Sequence, residues 1–391
     1  MVKKQNKLRI VFYYIRRNLG HSRTIFSLVK ALREIYKEKA TIVVLQSGTG
    51  DSVFPFEQYC DFHVLPYSEI SETKEKSNTQ FAGKAQKRIL FISKLMLKIK
   101  PDFFITELYP LGQDFWSFEV PIILKFARKK LDCKIIASFS YLMWPKDAFA
   151  ILDKFYDQII FHFPKKYLVN YLLSPAASLQ GKRGIKKIFK HLKKKIYFTG
   201  YLLDTNFDTK TIKSKAQDSK TILVSRGGGK GAKNDIIINS ILAAKNFEDN
   251  DFCIIAGPDT PNDKFKMYQK IAKKFSNIRL LKKHNNFREC LANCRLSINM
   301  AGYNTIAEIL WLGKQSIIIP YGIEEQLVRA DFLKKTYKLA VLLAPDFSVE
   351  KLIKQIKNIL TSNKARTRNV RDFQGIEQTI KLLKKLQRNK S

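Results

Sequence analysis

The chain has 391 residues, 45% of them hydrophobic, with 71 Lys plus Arg against 34 Asp plus Glu and a formal net charge of +37. That apolar content excludes a disordered chain, and the length suits two domains rather than one core. A charge surplus of this size suits contact with anionic lipid headgroups, nucleic acid or phosphorylated substrates.

No apolar run reaches the roughly 18 residues of a membrane-spanning helix. The early run Leu8–Ile15 is short, alternates like a strand and ends in Arg16-Arg17, without the cleavage region of a signal peptide. The 5 cysteines are scattered and form no CxxC pair. Free thiols in a reducing, cytoplasmic setting is the resulting expectation.

In chain order, strands alternate with helices. Arg9–Ile15 reads as a strand. Ser22–Lys37 reads as a helix with Ile25, Leu28, Val29 and Leu32 on one face. A strand at Thr41–Gln46 and a polar loop over 71–80 follow. A lysine-bearing helix then runs to about Lys100, where Pro101 ends it. Asp102–Thr106, Lys134–Ser138 and Gln158–His162 read as buried strands. Within Gly181–Lys195, Ile185, Ile188, Phe189 and Leu192 recur at helical spacing among lysines, the pattern of a basic amphipathic helix.

A second series begins after the polar stretch 204–220. Its strands are Thr221–Ser225, Phe252–Ala256, Ile278–Leu281, Leu296–Asn299 and Ser316–Pro320. Its helices include Asn234–Lys245, Tyr303–Leu312 and Glu324–Thr336, and a basic helix Ile376–Gln387 closes the chain. Strands separated by helices imply parallel doubly wound sheets. The expected fold class is therefore α/β with two tandem Rossmann-like domains, 1–203 and 221–365. They are joined by a linker, 204–220, and followed by the basic segment 366–391. A ligand is expected in the cleft at the carboxyl ends of the strands.

Four segments carry chemistry. After the first strand of the second domain, Ser225-Arg226-Gly227-Gly228-Gly229-Lys230-Gly231-Ala232 offers backbone N–H groups to a diphosphate, with Lys230 or Arg226 adding positive charge. It is neither a Walker loop nor a clean dinucleotide fingerprint, and a structural tight turn would use the same residues. The second segment, Asn299-Met300-Ala301-Gly302-Tyr303-Asn304-Thr305, turns on a glycine and opens a helix whose free N–H groups and dipole suit a phosphate. Asn304 or Thr305 can cap that turn. Glu308, about one helical turn further on, can accept hydrogen bonds from a ribose. The two segments together make a nucleotide diphosphate the better account of both.

Third, Glu324-Glu325-Gln326 starts a helix after a strand and turn, a place suited to sugar hydroxyls, although an acidic first turn also simply offsets the dipole. Fourth, Asn18-Leu19-Gly20-His21-Ser22-Arg23 sets His21 at a helix start, where a neutral ring can accept a proton. Asp249-Asn250-Asp251 precedes a strand at its amino end and reads as a turn. No metal-ligand cluster is evident, and no metal or cofactor is expected.

These residues resemble a family. Gly20-His21-x-Arg23, Thr106-Glu107-Leu108-Tyr109-Pro110-Leu111-Gly112, Thr199-Gly200-Tyr201, Ser225-Arg226-Gly227-Gly228-Gly229, Gly302-Tyr303-Asn304-Thr305 with Glu308, and Glu324-Glu325-Gln326 with Arg329-Ala330 occur in this order. The chain is similar to the two-domain GT-B glycosyltransferases with a family 28 type C-terminal domain. Within them it is similar to the N-acetylglucosaminyltransferases of lipid-linked peptidoglycan precursors and to a branch of predicted glycosyltransferases.

The resemblance implies a metal-independent transferase that moves a hexose or N-acetylhexosamine from a UDP-linked donor to a hydroxyl acceptor. It assigns Gly227, Gly228, Gly229, Lys230, Gly231, Gly302, Asn304 and Thr305 to the donor diphosphate. It assigns Glu308 to the ribose, Gln326 with Glu325 to the sugar and His21 to the acceptor side, and in the expected mechanism His21 or Glu107 removes the acceptor proton. A lipid-linked acceptor in envelope glycan synthesis, and an anionic inner membrane face touched by the helix Gly181–Lys195, follow from the charge.

Two departures stand out. Ala137-Ser138-Phe139-Ser140-Tyr141 lacks an Arg-Asp pair of the nearer branch, and Asn18 replaces a glycine, which a left-handed asparagine can do. A nucleotide-sugar hydrolase of the same fold is the alternative. A nucleic-acid-binding protein is a weaker one, because no recognition motif for nucleic acid is present.

Overall fold

The computed structural model describes residues 7–16, 19–48, 54–66, 79–112, 118–143, 147–205, 219–227, 235–343, 347–362 and 370–388. Its contacts divide the chain into two compact units. The first comprises residues 1–165, 179–202 and 374–391, and the second 166–178 and 203–373.

The first unit is built on a seven-stranded sheet. Its strands are β1 (Leu8–Ile15), β2 (Ala40–Ser47), β3 (Asp61–Val64), β4 (Phe103–Glu107), β5 (Lys134–Phe139), β6 (Gln158–Phe161) and β7 (Ile196–Phe198). All pairings are parallel and the order is β3-β2-β1-β4-β5-β6-β7. Helices cover a parallel sheet on both faces, so its central strands are apolar nearly throughout. β1 fits, with only Arg9 short of full burial. Short β7 at one edge had no sequence expectation, because it carries no long apolar run.

The second unit holds a six-stranded sheet, again wholly parallel. Its strands are β8 (Thr221–Ser225), β9 (Asp251–Ile255), β10 (Ile278–Leu281), β11 (Leu296–Met300), β12 (Ser316–Ile319) and β13 (Ala340–Val341), in the order β10-β9-β8-β11-β12-β13. The sequence of crossovers reverses direction once in each sheet, between β1 and β4 in the first and between β8 and β11 in the second. Such switch points leave a crevice beyond the carboxyl ends of the strands. Two tandem Rossmann-like sheets are thus the observed architecture.

Two segments cross the boundaries expected from sequence. The helix Gly375–Arg388 buries Ile380, Leu382 and Leu383 in the core cluster of the first unit, beside Leu28 and Leu32. It is also tied there by the Gly375 N–H to the Tyr201 carbonyl at 3.1 Å. Residues 166–178 belong instead to the second unit. The Tyr171 hydroxyl donates to Glu324 at 2.6 Å, Lys166 pairs with Asp372 at 2.6 Å, and the Tyr167 ring meets Phe332 edge-on. Apolar and aromatic side chains on both segments decide these positions, and sequence proximity does not.

The helix Leu179–Leu192 confirms the amphipathic pattern and settles where its stripe goes. Ile185, Ile188 and Leu192 are buried, while Lys186, Lys187 and Lys190 are exposed. Its apolar face is therefore used up inside the protein. Among the described residues no helix is long and apolar enough to cross a membrane.

Candidate active site

At the first switch point, β1 and β4 lie in register with Tyr13 opposite Thr106. The chain leaving β1 enters the helix Leu19–Tyr36, which sets His21 in its first turn. Glu107 ends β4. His21 Nδ1 lies 3.2 Å from Glu107 Oε1, with both residues buried at 5% and 1% exposure. A carboxylate at Nδ1 selects the tautomer protonated there and leaves the lone pair on Nε2. Burial pushes the Glu107 carboxyl above the ordinary range, against the pull of His21. Its Oε2 is buried and makes no hydrogen bond.

The turn after Glu107 is held firmly. Leu108 takes a left-handed φ of 64°, its N–H donates to the Ser138 carbonyl at 2.8 Å, and the Thr106 hydroxyl bonds Tyr156 Oη at 2.8 Å. A non-glycine residue in that region persists only where its surroundings fix it.

The Ser138 departure has a structural counterpart. Ser138 Oγ and Thr199 Oγ1 lie 2.9 and 2.8 Å from the two ring nitrogens of His162. Burial lowers the His162 ring to about 3, so it is a neutral, fully engaged link between β5, β6 and β7. A second buried network carried no sequence signal. Arg88 grips Glu119 with two bonds of 2.7 Å, and it also donates to Ser47 Oγ at 2.6 Å. The Tyr13 hydroxyl donates to the same carboxylate. Arg88 and Glu119 are 31 residues apart in sequence, and no spacing rule links them. The pair fixes the helix Thr79–Ile99 over the ends of β1 and β2.

At the second switch point the chemistry is different. Asn299 of β11 is level with Ser225 of β8, and Met300 with Ile319 of β12. The turns at Arg226-Gly227, Ala301-Gly302 and Tyr321-Gly322 therefore leave three adjacent strands at the same end. Gly302 caps the helix Tyr303–Leu312 with φ −73° and ψ 139°, and no side chain caps it. The expected capping by Asn304 or Thr305 is thus corrected: Gly302 holds the cap position, one residue ahead of Tyr303, and the first-turn N–H groups have no intrahelical partner. Among the described residues, a side chain at Gly302 or Gly227 would meet nothing within 4 Å. Gly227 adopts φ +80°, whereas Gly302 has a backbone that any residue can adopt. Among the described residues the space in front of Gly302 has no internal cause, and close approach of a ligand would supply one.

Glu308 sits one turn further on and is 1% exposed. Arg288 Nε donates to its Oε1 at 2.9 Å, and Arg288 Nη1 donates to the Asp204 carbonyl at 2.8 Å. In the third segment, the Tyr321 N–H donates to Gln326 Oε1 at 2.9 Å, which leaves the Gln326 amide N–H groups to donate elsewhere. Glu325 is engaged by Arg329, whose Nη1 donates to the Ala301 carbonyl at 2.6 Å. Glu325 thus braces the turn before Gly302, and Gln326 is the better placed of the two for a sugar. Gly228, Gly229, Lys230, Gly231 and Ala232 lie outside the described residues, as do Asn18, the loop over 71–78 and residues 206–218 of the linker.

Residues 217–385 match the Glycosyltransferase family 28 C-terminal domain. Over 106 residues the chain is 36% identical to a UDP-N-acetylglucosamine–N-acetylmuramyl-(pentapeptide) pyrophosphoryl-undecaprenol N-acetylglucosamine transferase of Prochlorococcus marinus. That stretch is 26% of this chain and 26% of the relative. The Acinetobacter baumannii MurG crystal structure superposes with a TM-score of 0.59 at 14% identity, over 90% of this chain and 91% of that one. Medicago truncatula UGT71G1, complexed with UDP-glucose, superposes with a TM-score of 0.63 at 12% identity, over 99% of this chain and all of that one (100%). The sheet orders, the glycine turns and these likenesses converge: the chain has the GT-B fold and is similar to MurG, and its residues 217–385 match the glycosyltransferase family 28 C-terminal domain.

Proposed function

We propose that this protein transfers a sugar, a hexose or N-acetylhexosamine, from a UDP-linked donor to a hydroxyl of a lipid-linked acceptor. The observation that carries the proposal is the second switch point. There, glycines with open space before them, a helix N-terminus and a buried acid one turn on lie in one unit. N–H groups at Gly227 and in the first turn after Gly302 receive the diphosphate. Glu308 accepts hydrogen bonds from the ribose, and the Gln326 amide donates to the sugar.

In the reaction, the acceptor oxygen bonds to the anomeric carbon as the bond from that carbon to the diphosphate oxygen breaks. His21 Nε2 takes the acceptor proton. Glu107 holds the ring and stabilises the imidazolium that forms. The electron pair leaves with the diphosphate, and the helix N-terminus stabilises its growing charge.

Binding of a UDP-sugar measured by calorimetry tests this. Glu308→Ala should weaken donor binding about tenfold or more with folding intact. Unchanged donor affinity would remove the site assignment. Free sugar released at full rate from donor alone, with no gain on adding acceptor, would favour the hydrolase instead.

A peripheral position on the anionic inner membrane face completes the reading. The exposed lysines of Leu179–Leu192 support an electrostatic contact only, since the apolar stripe is buried. The helix Thr79–Ile99 offers more. It has no acidic residue, and Leu90, Phe91 and Leu97 stand exposed among Lys87, Lys94 and Lys98. Phe91→Glu should release the protein from phosphatidylglycerol vesicles in co-sedimentation more fully than Lys186→Glu, and equal retention would discard that face.

A further inference from the structure

Glu308 is an acid at 1% exposure, and an acid so placed needs a fixed partner. Lysines are abundant in this chain, yet the partner is an arginine. Its side chain is 17% exposed, and it is fastened at two points. One is Glu308 Oε1, through Nε at 2.9 Å. The other is the Asp204 carbonyl, through Nη1 at 2.8 Å, 84 residues earlier in the sequence. A planar guanidinium held at two donors is itself fixed in position and plane, and it fixes the position of the carboxylate oxygen it touches. A lysine ammonium, compact and on a flexible stem, would neutralise the charge without fixing its direction.

Direction matters for a residue that reads hydroxyls. A ribose offers hydroxyl donors on one edge, and a carboxylate accepts them well only where its lone pairs point at them. Arg288 itself has no place in the sequence motifs. It stands on the short helix Phe287–Asn293, which leads into β11, the strand that ends at the Gly302 turn.

We infer that Arg288 is a positioning residue of the donor site: it holds the Glu308 carboxylate aimed so that the site selects a ribonucleotide by its sugar hydroxyls. This rests on the donor-site reading of Glu308 above. Arg288 need not touch the nucleotide. Its effect passes through Glu308 and is confined to the ribose.

The test compares binding of UDP and of 2′,3′-dideoxy-UDP to the wild-type protein, Arg288→Met, Arg288→Lys and Glu308→Ala. The wild type should prefer UDP by about tenfold or more, as expected for hydrogen bonds to a charged acceptor. Arg288→Met should lose most of that preference while keeping its affinity for the dideoxy nucleotide. Arg288→Lys should restore it only in part. A parallel loss of both ligands in Arg288→Met would mark a merely structural residue and overturn the inference, as would an unchanged preference. If Glu308→Ala loses the preference and Arg288→Met keeps it, only the role of Arg288 fails. If Glu308→Ala also keeps it, the ribose reading of Glu308 fails first.

Discussion

The two sheets reverse direction at equivalent places, yet among the described residues side chains fill one crevice and glycines line the other. Beyond β1 and β4, side chains close the space: His21 against Glu107, Tyr14 against Gln46, Tyr13 and Arg88 against Glu119, all buried. Beyond β8 and β11, glycines open it. One topology therefore serves two kinds of chemistry. Moving a proton needs a ring held at one angle by a buried acid. Holding a diphosphate needs backbone N–H groups with nothing in front of them. The fold supplies the crevice, and the residues at its lip decide its use.

The largest effect that would test this contrast is His21→Ala. If the closed crevice carries the base, turnover should fall about a thousandfold while donor binding is unchanged. A parallel fall in UDP affinity would mean that the two crevices do not divide the work. The closed side should also have a pH liability. His162 is held near 3 when folded, against about 6.5 when unfolded. Between those values the unfolded chain binds more protons, so its contribution is complete above about 6.5 and is lost as pH falls toward 3. The loss should reach about 3 kcal/mol by pH 4. Urea unfolding at stepped pH should show this slope in the wild type and a flatter one in His162→Gln; parallel curves would place the acid sensitivity elsewhere.

Glu107 sharpens the comparison further. Its folded carboxyl is raised, so ionisation works against folding as pH climbs past the unfolded value, and stability from this group is greatest in acid. Glu107→Gln should therefore lower turnover about thirtyfold yet leave the melting temperature at pH 7 unchanged or higher. A large drop in stability would show that the acid serves packing rather than the ring.

How much of this was legible in the sequence differs between the crevices. The open one could be read directly, because a glycine between a strand and a helix is a local signal, and Tyr303–Leu312 began where expected. Even so, the brace beneath it was hidden. Glu325, expected at the sugar, is paired with Arg329, a contact the motif did not signal. The closed crevice was legible only as separate residues. His21 and Glu107 were rival bases in the sequence because 86 positions separate them, and only the register of β1 with β4 makes them one unit. Arg88 with Glu119, Arg288 with Glu308, and the return of 374–391 to the first unit depend on contacts that no periodicity encodes.

The smallest effect is the most discriminating, because it compares glycines within the open crevice. Gly257 also follows a strand of this sheet, with φ +96°, and a Cβ there would lie 2.3 Å from the Gly227 carbonyl oxygen. That glycine is required by the fold itself. Gly257→Ala should destabilise the protein by about 1–3 kcal/mol, from a strained backbone and a forced shift of the Gly227 loop. Gly302→Ala meets no atom of the described residues and no backbone strain. It should change stability by less than about 1 kcal/mol, the scale of a cap preference, while lowering UDP affinity about tenfold, because the methyl group stands where the phosphate approaches. Thermal melts and nucleotide titrations on the two variants separate the causes. If Gly302→Ala binds UDP as the wild type does, the space before it is not the phosphate site, and the contrast between a filled and a bare crevice loses its functional meaning.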